Sequence, residues 1–209
     1  MSRSSKTSAR TAPTVADMTS PALLIATAAA PHAALVRAAT RVSLDSPTPC
    51  GSWDLRALLG HLLHWTPVLA DAGGHAPVTS PDESTDPIAG DWADTLNAAR
   101  DRLVDTWANP AAWDGTVSLG GPDPLPAPMI GGMVLGELVL HGWDLGRALD
   151  LEPEWPQDVL AAVLGAVEGM AEQGREMGAF GPPAAVGADA STLDRLVAVS
   201  GRDPRWSPR

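Results

Sequence analysis

Apolar residues recur at helical spacing along most of the chain, and clusters of Pro, Gly and Ser cut that pattern into five stretches. The first runs from about Ala22 to Val42, with Pro31 predicting a kink or break. Beyond the turn-rich link Ser46 to Ser52, Asp54 is an N-cap for a second helix that reaches about Ala72 and is ended by Gly73 and Gly74. A loop from Pro77 to Pro87 leads to the third helix, roughly Ile88 to Ala108, whose apolar positions are Trp92, Leu96, Leu103 and Trp107. The fourth spans about Met129 to Leu149. The fifth follows Pro156 and covers Gln157 to about Met177, and a short helix near Thr192 to Ser200 precedes the tail. Between Pro110 and Pro128 the chain is rich in Pro and Gly; Thr116 to Leu119 can form a small strand, and the stretch is a candidate lid or crossover. Long helices with little strand signal predict an all-α fold, a helical bundle.

Placed on a wheel at about 100° per residue, the fourth helix gathers Ile130, Met133, Val134, Glu137, His141, Asp144 and Ala148 into one arc of about 100°. That arc is the apolar stripe, so Glu137, His141 and Asp144 face inward, where unpaired charge costs several kcal/mol. The second helix has its stripe at Leu55, Leu58, Leu59, Leu62, Trp65 and Leu69, with His61 at the edge and His64 pointing away. His61, Glu137 and His141 then form a two-His, one-carboxylate set. Such a set holds Zn(II) with an open position or, in facial geometry, Fe(II). The bland reading is a hydrogen-bonded core histidine and an i,i+4 helix contact. Asp144 reads as a carboxylate that orients His141, or as a base standing behind it.

Composition narrows the choice. The chain has 209 residues with 14 Lys and Arg against 25 Asp and Glu, a net charge of -11, which excludes the basic footprint of a nucleic-acid binder and disfavours anionic membranes. A single cysteine, Cys50, excludes an internal disulfide and a thiolate zinc cage, so any metal must be held by histidines and carboxylates. The first 20 residues lack the apolar core of a secretory signal and read as a disordered tail. The apolar run Ala22 to Ala30 is broken by Thr27 and stopped by Pro31, short of the ~20 residues of a membrane helix. A cytoplasmic, soluble protein is expected, with a tail over 1–20, a bundle over 21–150 and a helical extension over 151–209.

The motifs Pro47-Thr-Pro-Cys50, Trp53-Asp-Leu-Arg-Ala-Leu-Leu-Gly-His61-Leu and Gly136-Glu-Leu-Val-Leu-His141-Gly-Trp-Asp-Leu145 resemble the DinB-like superfamily, in its mycothiol-dependent maleylpyruvate isomerase-type branch. Met177, Phe180-Gly181 and Asp194 to Pro204 are similar to the closing segment of an actinobacterial subfamily in it. The resemblance implies a four-helix bundle of up-down-down-up type with a divalent metal, usually zinc, bound by His61, Glu137 and His141. It also implies a low-molecular-weight thiol, mycothiol, that the metal holds as a thiolate for S-transfer or isomerisation. The residues after Asp150 are too few and too helical to match the additional C-terminal domain of maleylpyruvate isomerase, which sets that particular isomerisation apart.

Other residues read two ways. Arg56 can bind a carboxylate of the thiol cofactor or make a surface salt bridge; Trp143 can line the pocket or pack between helices. Trp53 and Trp65 are core or staple candidates. Cys50 reads as a small buried cysteine before a helix, His32 and His75 as solvent-facing, and Arg202 as an anchor of the tail. The expected partners are a small-molecule thiol and an electrophile, with a monomeric or homodimeric protein. The alternative function is a non-catalytic, metal-stabilised binding or stress-response module.

Overall fold

A computed structural model describes residues 20–208, so the tail expected over 1–20 lies, Ser20 apart, outside the described residues. The helices are α1 (Pro21–Ala29), α2 (His32–Ala39), α3 (Leu55–Gly73), α4 (Trp92–Trp107), α5 (Ala127–Ala148), α6 (Gln157–Glu176) and α7 (Thr192–Val199). A 3-10 turn at Pro110–Trp113 and a two-stranded antiparallel ribbon, β1 (Thr116–Val117) with β2 (Leu125–Pro126), fill the link between α4 and α5. The fold is an all-α, DinB-like helical bundle. Its layers are α1 with α2, α3, α4 and α5, while α6 packs on α5 and α7 on α6.

Local chemistry sets the boundaries. The Asp54 carboxylate accepts the Ala57 N–H at 2.8 Å and starts α3. The stretch expected as one first helix breaks at Ala30–Pro31 into α1 and α2, because Pro31 has no N–H to continue the ladder. That stretch, Pro21–Ala39, has the length and mean hydropathy of a membrane-crossing helix; here Ile25, Ala28, Leu35 and Val36 are buried in the bundle. The third helix starts at Trp92 and not near Ile88, since Gly90 sits in the left-handed region at φ 51°. At the end of α5, Asp150 takes a left-handed φ of 56° while Asp150 N–H bonds Arg147 O and Leu151 N–H bonds Gly146 O at 2.8 Å. These two bonds close the helix in a Schellman motif.

α5 is the central element: its residues are buried almost continuously from Ile130 to Gly146. Close approach at Gly142 makes room for two neighbours, because a Cβ there would stand 2.9 Å from the Trp155 ring and 3.0 Å from His32 Nε2. Trp155 Nε1–H donates to Ala28 O at 2.9 Å, and His32 Nε2 bonds Leu138 O, so α1, α2 and the start of α6 are all referred to α5. His32, expected at the surface, is buried with only 5 % exposure. The Pro110–Pro128 segment packs through Trp113, whose ring stands against Gly131 near the N-terminal end of α5 and whose Nε1–H donates to Trp107 O at 3.0 Å. The expected strand forms over Thr116–Val117 only.

Two outcomes follow from this packing. Gly142→Ala is expected to destabilise the fold by about 1–3 kcal/mol through overpacking, whereas Gly165→Ala in α6, which meets nothing within 4 Å, should stabilise it by about 0.4–1 kcal/mol; urea unfolding compares them. Burial pushes His32 down to about 4 from 6.5, opposed by its bond to Leu138 and helped by Arg100 and His141. Between those pH values the unfolded chain binds the proton and the folded one does not, so stability falls as pH drops. We expect a loss of roughly 2 kcal/mol between pH 7 and 5, and a flatter slope in His32→Gln.

Candidate metal centre

The site begins with the turn before α3. Thr48 Oγ1 donates to Trp53 O at 2.8 Å and accepts the Cys50 N–H at 3.2 Å, while Gly51 takes φ 59°. This tight turn folds the Trp53 indole over two imidazoles: its ring centroid lies 4.9 Å from that of His61 and 6.1 Å from that of His141, the latter stacked at 22°. His61 comes from the edge of the α3 stripe and His141 from the buried line of α5, as the wheels predict.

Both imidazoles turn Nε2 toward one carboxylate oxygen. Glu137 Oε2 is 3.1 Å from His61 Nε2 and 3.4 Å from His141 Nε2. Burial disfavours the charged form of Glu137, but His141, a hydrogen bond from His61 and the more distant Arg202 hold its carboxyl down to about 2. For His61, burial opposes the proton, and the Glu137 and Glu83 carboxylates outweigh it and raise its affinity. Ligand-type atoms of His61, Glu137 and His141 all lie within 4.8 Å of one another.

Behind this set lies a buried charge network. Asp144, with no exposed surface, takes two bonds from Arg202: Nε to Oδ1 at 2.8 Å and Nη2 to Oδ2 at 2.7 Å. Burial alone would raise the Asp144 pKa; Arg202 and the His141 hydrogen bond reverse that and keep the carboxyl ionised. An ionised carboxylate only accepts, so His141 Nδ1 at 2.9 Å from Asp144 Oδ2 carries a proton, and Nε2 is the nitrogen that a cation would take. Arg202 also donates to Ser200 Oγ at 3.1 Å and to Cys50 Sγ at 3.3 Å. Burial pushes the Cys50 thiol up to about 12 despite Arg202, so it stays protonated. Cys50, His141 and Asp144 also bring ligand-type atoms within 4.8 Å, but the guanidinium already supplies the cation on that side and would repel a second.

The structure therefore brings His61, Glu137, His141 and Asp144 together. It places Arg56 elsewhere, paired with Asp86 at 2.8 Å on the α3–α4 loop. Trp143 is buried in the apolar core, and the indole stacked on the histidines is that of Trp53. His64 faces Thr85 on the exposed side. Trp53 is a core or staple candidate by sequence, and the only signal for its place over the imidazoles is its position immediately before the Asp54 cap. Arg202 reads by sequence as a tail anchor, and the anchor proves to be Asp144. Glu83, whose Oε2 is 3.8 Å from His61 Nδ1, carried no signal at all.

The donor set fits a divalent cation: two imidazole Nε2 atoms and a carboxylate oxygen converge on one small volume, and Asp144 holds the His141 ring through Nδ1 so that Nε2 faces that volume. One consequence concerns stability alone. Arg202→Met leaves Asp144 buried and uncompensated, and a loss of about 3–5 kcal/mol is expected in equilibrium unfolding.

A family model described as the mycothiol maleylpyruvate isomerase N-terminal domain matches residues 25–146. Comparison with curated proteins and with solved structures returns no match. The matched span holds His61, Glu137, His141 and Asp144 and leaves Arg202 outside it. The chain belongs to the mycothiol maleylpyruvate isomerase N-terminal domain family, a metal-binding, DinB-like group related to mycothiol chemistry.

Proposed function

We propose that this chain is a metal-dependent thiol enzyme in which His61, Glu137 and His141 hold one zinc ion and mycothiol is the cosubstrate, in S-transfer or isomerisation of an electrophile. The observation that carries it is the convergence of two Nε2 atoms on Glu137 Oε2 at 3.1 and 3.4 Å. Three protein ligands leave a catalytic zinc an open position, where a structural site would be closed by a fourth. When bound, the ion supplies Lewis acidity that keeps a thiol as its thiolate at neutral pH, ready to attack an electrophilic carbon.

The chain's own residues do the rest. Asp144, expected either to orient His141 or to act as a base behind it, has both oxygens engaged and no solvent contact, which supports the orienting role: it is a positioning residue that fixes the His141 ring. Trp53 covers the two imidazoles and limits water around them. Arg56 ties down the neighbouring loop, and Trp143 supports α5 from the core. The same reading makes the partners small molecules, without nucleic acid or membrane, and puts the protein in the cytoplasm as monomer or homodimer.

A non-catalytic, metal-stabilised module draws on one observation: His141 is buried and the Trp53 indole lies over both imidazoles, which narrows access to the ligand set. Metal analysis and calorimetry separate the readings. The enzyme reading expects one zinc per chain, its loss in His141→Ala, and mycothiol binding to the loaded protein. Stoichiometric metal retained by His141→Ala overturns the ligand set. A loaded protein that ignores mycothiol and only melts lower on metal removal belongs to the second reading.

A further inference from the structure

His141 Nδ1 is held by Asp144, but His61 Nδ1 is buried and has no hydrogen-bond partner among the described residues. The acceptor facing it is Glu83 Oε2 at 3.8 Å, about 0.6 Å beyond ordinary hydrogen-bond reach. Glu83 belongs to the loop between α3 and α4, and that loop is fastened to α3 on both sides of His61. Trp65 Nε1–H donates to Glu83 Oε1 at 3.0 Å. Arg56 pairs with Asp86 at 2.8 Å, and the Pro87 ring stands where a Cβ on Gly60 would meet it at 3.6 Å. Around Glu83 the Asp82 carboxylate accepts the Ser84 N–H at 3.1 Å and turns the chain.

We infer that Glu83 is a positioning residue for the α3 histidine of the metal centre, its Oε2 accepting the Nδ1–H of His61 as Asp144 accepts that of His141. The inference rests on the metal reading proposed above. An imidazole that ligates through Nε2 carries its proton on Nδ1, and a cation on Nε2 makes that N–H a stronger donor. Trp65 occupies Oε1, which leaves Oε2 as the free acceptor. The two supports differ in rigidity. Asp144 rises from α5 itself and is fully buried, whereas Glu83 is half-exposed on a loop. Orientation of His61 is thereby coupled to how firmly this loop sits on α3.

The test is a zinc titration of the metal-stripped full chain against a chromogenic chelator, with melting of the metal-free protein alongside. Glu83→Ala is expected to bind zinc about 10- to 100-fold more weakly, with Glu83→Gln, which keeps a carbonyl acceptor, losing less and neither variant shifting metal-free melting. Wild-type affinity in Glu83→Ala overturns the inference while leaving the metal reading intact. Equal losses in both variants together with lower metal-free melting make the contact structural and overturn it as well. A wild-type chain that binds no zinc overturns both readings.

Discussion

The structure is organised around one buried carboxylate. Asp144 sits in the middle of the bundle with no exposed surface, on a helix whose neighbours are almost all apolar. Left alone, that charge would cost several kcal/mol or take up a proton. The bidentate Arg202 guanidinium answers it, and Arg202 comes from the far end of the chain. The helices α6 and α7 are the route by which the chain returns to place that arginine against α5. Cys50 Sγ and Ser200 Oγ accept two further guanidinium N–H groups, so the turn before α3 and the C-terminal tail meet at the same point.

This arrangement decides the electronic state of the site in front of it. With Asp144 ionised, His141 must hold a proton on Nδ1, and Nε2 is the nitrogen turned toward Glu137. The order runs from Arg202 to Asp144 to His141 to the shared volume at Glu137 Oε2. Stability and chemistry are therefore linked through one residue that itself lies outside the family-matched span. Gly142 plays the corresponding steric part, since it lets His32 and Trp155 come against α5 and hold it where the histidines meet.

How much of this was readable in advance depends on the range of the interaction. Helix ends governed by neighbours in sequence were readable: the Asp54 cap, the Pro31 break and the start of α6 behind Pro156 all depend on contacts within a few residues. The third helix starts late because Gly90 took a backbone conformation that periodicity does not report. His32 was misread because its surroundings are Leu138 and Trp155, over a hundred residues away in the chain. Trp53 and Glu83 escaped for a related reason. One reaches the imidazoles through a turn and the other through a loop, and neither route has a period.

The sequence by itself determined that Glu137, His141 and Asp144 share one inward line and that His61 borders the stripe of another helix, because 3.6-residue geometry is a local property of the backbone. It also excluded an internal disulfide and a thiolate cage, since only one cysteine is present. Only the tertiary structure decided that the two lines meet at one oxygen, that Arg202 neutralises Asp144, and that Trp53 and not Trp143 covers the rings. Those outcomes depend on distances between segments far apart in the chain, which are set by how the whole core packs and by where a buried charge can find its counter-charge.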